Sequence, residues 1–268
     1  ALRRLPLDGQ GRLDPDALEA ELQRLRQAGI PVIAVVATAG TTVRGAIDPL
    51  GPIGALCRRE EVWLHVDAAI GGVFALAPAQ RALLAGLEQA DSITVNPQKL
   101  LGITKTSSLL LLADPARLHQ AFSTGLPYME PSWGGGHGGE LGLQGSRPAE
   151  ILKLWLGLRQ LGLEGIAELV EGALARRRLL QELLSRHEQL QLLAGPLHLL
   201  AFRPRHGEPD QLAHWSERTR AALLAEQLML SRPCYHGRHH LKAVLGNPHT
   251  LPCHLERLAA VVAGQPCP

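Results

Sequence analysis

The apolar run VIAVVA at residues 32–37 constrains the fold more than any other stretch of the chain. A strand with no polar face belongs in a parallel sheet covered on both sides. Helix signals bracket it. Asp14 caps a helix with Pro15 at its first position, and Gly29 closes that helix before Pro31. Asp48 and Pro49 start the next helix by the same cap-and-proline device. A second apolar strand at residues 62–66 ends on Asp67, a helix at 79–88 follows, and a strand at 93–95 runs into Asn96. Residues 107–112 form one more apolar strand. Strands and helices alternating at this spacing predict an α/β fold around a mostly parallel sheet.

Beyond that sheet the character changes. Residues 123–146 are too rich in glycine and proline for regular structure, and a loop of that length inside a domain points to function or disorder. Helices are predicted at 149–161 and 164–186. A smaller α+β unit follows, with strands at 197–202 and 241–245 and helices at 209–230 and 252–263. The chain therefore divides into residues 1–165, which include the 123–146 loop and a linking helix, and residues 166–268. No internal repeat is present.

The 268 residues are 46% hydrophobic and 19% charged with a net charge of +2, values of a globular protein able to bury a sizeable core. Interspersed signs give no electrostatic case for nucleic acid or an anionic membrane. The basic run Arg176, Arg177 and Arg178 reads as a solvated helix face. No apolar stretch reaches the ~20 residues that span a bilayer, and no signal peptide is visible. Cys57, Cys234, Cys253 and Cys267 fit no zinc spacing and suit a reducing cytoplasm. His236, His239 and His240 beside Cys234 have no regular ligand partner, so they read as surface histidines and no metal site is expected.

Two strand ends carry the chemistry. Asp67 closes one apolar strand, and Lys99, 32 residues later, follows the next strand in the turn Asn96-Pro97-Gln98-Lys99. Open α/β sheets bind ligands at the carboxyl ends of their strands. An acid and an amine there suit pyridoxal phosphate: Lys99 holds the aldehyde as a Schiff base, and Asp67 keeps the pyridine nitrogen protonated so that the ring draws electrons. His65 shares a strand face with Asp67, where it could reach cofactor or substrate or be satisfied within the fold.

Several ordered motifs extend this reading over most of the chain. They are the segments beginning at Asp14, VATAGTT at 36–42, GAIDPL at 45–50, HVDAA at 65–69 with Gly71 and Gly72, and ADSITVNPQK at 90–99. LKLWL at 152–156, GLEGI at 162–166 and the stretch 241–250 continue the series. Together they resemble the group II pyridoxal-phosphate-dependent amino acid decarboxylases. The resemblance implies a fold-type I architecture, release of carbon dioxide from an L-amino acid, and a homodimer. It implies that Ala69 lies against the cofactor ring, that Asn96 and Gln98 flank the cofactor, and that Thr41 and Thr42 meet the cofactor or the substrate carboxylate. Tyr128, on a loop corresponding to a mobile lid, would protonate the carbanion at Cα. Lys242 occupies the place of an arginine that binds the substrate carboxylate, and Gln98 that of a histidine near the phosphate.

The chain begins with Ala1, and its first motif falls midway through the family's large domain. It is expected to be a fragment of a longer protein, or a product without the N-terminal half, and to be inactive by itself. An aminotransferase or desulfurase of the same fold is the alternative enzyme, and a non-catalytic homologue the alternative of another class.

Overall fold

The computed structural model describes residues 1–104, 107–123, 138–144 and 148–268. Tyr128 and most of the 123–146 loop lie outside the described residues. Helix α1 (Pro15–Gln27) begins as its sequence dictates: Asp14 accepts a hydrogen bond from the Asp16 N–H, and Pro15 sits in the first turn. Leu18, Leu22 and Leu25 bury one face. Strand β1 (Ala34–Thr38), helix α2 (Leu50–Arg59), and strands β2 (Trp63–Asp67), β3 (Ser92–Val95) and β4 (Leu109–Leu112) follow. They form one sheet in the order β1-β2-β3-β4. The pairs β1/β2 and β2/β3 are parallel and β3/β4 is antiparallel.

Three expectations need correction here. Residues 79–88 contain no α-helix; 3₁₀ turns at Pro78–Leu84 and Leu87–Gln89 replace it. Gly86 separates them in the left-handed region (φ 96°), and a Cβ there would lie 2.2 Å from the Gly51 nitrogen. Tight packing onto the start of α2 therefore overrides local helix preference. Asp48 does not cap α2; its Oδ1 accepts from the Leu13 N–H and its Oδ2 from the Thr38 N–H, both at 2.7 Å. The carboxylate thus ties the N-terminal segment to the end of β1. Burial pushes its pKa up, against the pull of the two N–H donors. Finally, β1 is covered on one face only. Val35 and Ala37 are buried with Leu64, Val66 and Val95, whereas Val36 is 57% exposed. Leu110 of β4 is 55% exposed, and its register partner is Thr94.

The remaining elements are α3 (Ala116–Phe122), α4 (Ile151–Ser185), β5 (Leu190–Ala194), β6 (Leu199–Pro204), α5 (Pro209–Ala225), β7 (Cys234–Tyr235), β8 (Arg238–His239), β9 (Leu241–Val244) and α6 (Pro252–Ala263). The expected break between two helices is a kink in α4 at Gly162 (φ 61°). Strands β5, β6 and β9 form a second, antiparallel sheet, and all six residues of β6 are buried. Strand β5 was not anticipated from the sequence. Within the basic run only Arg178 is exposed; Arg176 donates from Nε to the Leu245 carbonyl at 2.9 Å, and Arg177 donates to Gln181 at 2.7 Å. His240 is buried, with Nδ1 2.9 Å from the Arg238 carbonyl. The four cysteines are free thiols.

Two apolar clusters divide these elements along α4. The first combines β1 to β3 and α2 with Leu154, Ile166, Val170 and Leu174, and it reaches Leu197 and Leu199. The second gathers Leu180, Leu184, Phe202, Trp215, Leu241 and α6. His198 lies where they meet, 1% exposed and stacked on Phe74 with ring centroids 5.9 Å apart.

Burial, aided by nearby Arg176, pushes the His198 pKa down from 6.5 to about 4. The unfolded chain therefore takes up this proton first as the pH falls. Stability from the neutral ring is complete above about pH 6.5 and is lost towards pH 4, a fall of about 3 kcal/mol. Urea unfolding of wild type and His198→Phe at pH 7 and pH 4 should show this increment in the wild type and its absence in the variant. Asp48→Ala should lower stability by about 3 kcal/mol in the same assay at pH 7, because two backbone donors lose a charged acceptor.

Candidate active site

Parallel pairing sets the site. Asp67 is level with Thr38 on one side and Thr94 on the other, so three strands end at one edge of the sheet. Beyond β3 a 3₁₀ turn, Pro97–Lys99, carries the exposed Lys99 outward. Its backbone N–H bonds to the Asn96 carbonyl at 3.0 Å, and Ser108 donates to Asn96 Oδ1 at 2.9 Å. Pro97 fixes the start of this turn, so the sequence itself stops β3 before the lysine.

The turn after β2 is drawn inward. The Ala69 N–H donates to Asp67 Oδ1 at 3.1 Å, which orients the carboxylate. Gly71 donates to the Ala39 carbonyl at 2.9 Å, and any Cβ on Gly71 would lie 2.4 Å from that oxygen. Only glycine permits this approach. The loop after β1 is closed by Thr41, whose Oγ1 accepts from the Ala46 N–H at 3.0 Å. The Thr41 hydroxyl therefore serves its own turn, as threonines after strand ends commonly do.

Lys242 reaches this edge from the second sheet. Its Nζ donates to the Thr42 carbonyl at 3.1 Å. Burial pushes its pKa down, and the positive charge of nearby Lys99 adds to the effect. The structure thus brings Thr42, Lys99 and Lys242 together although 200 residues separate Thr42 from Lys242. Gly246, just past β9, approaches the residue after Lys99: a Cβ there would lie 3.0 Å from Leu100 Cδ1.

His65 is engaged at both ring nitrogens. Nδ1 lies 2.8 Å from Ser92 Oγ and Nε2 3.3 Å from Thr94 Oγ1. Ser92, Thr94 and Trp63 were not singled out from the sequence. Their signal was the strand alternation 63, 65, 67 and 92, 94, which places all five side chains on one face. A cavity of about 350 Å³ bounded by Cys57, Trp63, Gln89 and Asp91 lies at the opposite ends of β2 and β3. Among the described residues no cluster of three metal-ligating side chains occurs, and no helix is long and apolar enough to cross a membrane.

The residues present fit pyridoxal phosphate. An amine for its aldehyde and a carboxylate for its ring nitrogen stand at the ends of adjacent strands. Gln98 between Pro97 and Lys99 has a buried Oε1 with no partner among the described residues. A free amide beside the lysine suits a polar group of a bound ligand.

Comparison with known proteins agrees. The mouse acidic amino acid decarboxylase GADL1 is 36% identical over 194 residues, which cover 70% of this chain and 35% of that protein. The L-2,4-diaminobutyrate decarboxylase of Rhizobium meliloti is 36% identical over 258 residues, covering 94% of this chain and 52% of the relative. The crystal structure of mouse CSAD superposes with a TM-score of 0.88 at 28% identity, covering 98% of this chain and 58% of that one. The chain thus spans about half the length of these relatives. Residues 1–204 match the pyridoxal-dependent decarboxylase conserved domain, and the chain belongs to that family.

Proposed function

We propose that the chain carries the lysine, the acid and a carboxylate-binding amine of an enzyme that decarboxylates an L-amino acid to the amine and carbon dioxide. The observation that supports this most is the convergence of Lys99, Asp67 and Lys242 at one sheet edge from β3, β2 and β9. Bound pyridoxal phosphate supplies an electron sink for the charge left at Cα when carbon dioxide departs. Lys99 would tether the cofactor through its amine. Asp67, with one oxygen held by the Ala69 N–H, offers its charge to the ring nitrogen. Ala69 would lie against the ring, and Asn96 and Gln98 would contact its polar groups. Lys242 and the Thr41–Thr42 turn receive the substrate carboxylate; a lysine does so as a point charge rather than as a planar fork.

Tyr128 supplies the proton that Cα takes up. His65 stands on the same strand face as Asp67. Residues 1–165 hold the cofactor chemistry, and residues 166–268 form the small unit that returns Lys242 to it. The protein works in the cytoplasm as a homodimer. The relatives are named for acidic amino acids and for diaminobutyrate, so the substrate class stays at amino acids.

Borohydride reduction of the full-length protein with bound cofactor, followed by peptide mass analysis, should place the pyridoxyl group on Lys99. An unmodified Lys99 overturns the reading. Tyr128→Phe should keep cofactor affinity and slow carbon dioxide release about a hundredfold, or divert product towards transamination. Unchanged turnover in that variant removes Tyr128 from the reaction.

A further inference from the structure

On the exposed face of the sheet, polar side chains from β2 and β3 form a continuous series. Trp63 Nε1 donates to Ser92 Oγ at 2.8 Å, Ser92 Oγ lies 2.8 Å from His65 Nδ1, and His65 Nε2 lies 3.3 Å from Thr94 Oγ1. His65 is level with Ser92, and Asp67 with Thr94. The indole N–H can only donate, so Ser92 Oγ accepts it and has one proton of its own to place. Ser92 is 6% exposed, and among the described residues its hydroxyl meets only Trp63 and His65. If His65 Nδ1 carried a hydrogen, that buried hydroxyl proton would have no acceptor. Every proton is satisfied when Ser92 donates to an unprotonated Nδ1. Nε2–H then donates to Thr94 Oγ1, and the Thr94 hydroxyl proton is free to point onward. Its neighbour in register on the same face is Asp67.

We infer that this directed series holds His65 as the neutral Nε2–H tautomer and leaves the Thr94 hydroxyl free to donate to its register neighbour Asp67. Trp63, Ser92, His65 and Thr94 are then positioning residues for the acid. With both ring nitrogens committed, His65 transfers no proton to substrate. The link to Asp67 rests on the reading above that Asp67 faces the cofactor ring nitrogen, whereas the tautomer does not.

Full-length protein labelled with ¹⁵N in its histidine rings tests this by two-bond ¹H–¹⁵N correlation, with His65 assigned by the loss of its signals in His65→Gln. Without cofactor, wild type should show the Nε2–H pattern, and Trp63→Phe should populate the Nδ1–H form. An Nδ1–H pattern in the wild type, or no change in Trp63→Phe or Ser92→Ala, overturns the directed series. Thr94→Val should weaken cofactor binding about tenfold, the size of one charge-assisted hydrogen bond, and Thr94→Ser should restore it. Unchanged cofactor affinity in Thr94→Val overturns the link to Asp67. Because the tautomer is read without cofactor, its presence alongside an untrapped Lys99 would sink only the cofactor reading.

Discussion

Because β2 and β3 run in the same direction, with Asp67 level with Thr94, both strands deliver their terminal residues to one edge of the sheet. Most of the rest follows from that pairing. An antiparallel β3 would have sent Lys99 to the far end, beside the cavity bounded by Cys57 and Asp91. Parallel strands need crossover connections, and the segments between β1, β2 and β3 supply them. Helix α2 serves the first crossover and a series of 3₁₀ turns the second. Among the described residues between β3 and β4 there is only the short 3₁₀ turn Pro97–Lys99, and β4 returns antiparallel.

Elements with local signals were legible in the sequence, while those decided by distant packing were not. Asp14 with Pro15, and Pro252 with its amphipathic repeat, announce α1 and α6 because cap and periodicity lie within a few residues. Asp48 looked the same as Asp14, yet its carboxylate serves Leu13 and Thr38 instead. That outcome depends on where the N-terminal segment passes, which no window of ten residues contains. The segment at 79–88 has helical composition, and its fate is settled by the close approach of Gly86 to Gly51. Arg176 and His240 read as surface residues because their partners, the Leu245 and Arg238 carbonyls, are backbone atoms with no sequence signature.

The site shows the same division. Asp67 and Lys99 stand where apolar runs stop, so the sequence marks them directly. Lys242 is placed by the second sheet, whose strand β9 lies beside β6 and whose end approaches Leu100 through Gly246. The Trp63, Ser92 and Thr94 contacts require the register between β2 and β3. Alternation alone says which residues share a face but not which of them are level.

The one-sided covering of the sheet has a further consequence. The residues left bare, Val36 and Leu110, are as oily as those inside, and on that same surface stand His65 and Asp67. Any polypeptide laid across this surface would remove greasy area from water and, in the same act, lower the dielectric around the acid. Shielding and electrostatic tuning are thus one event here: the strength of Asp67 as a counter-charge is tied to whatever closes over Val36.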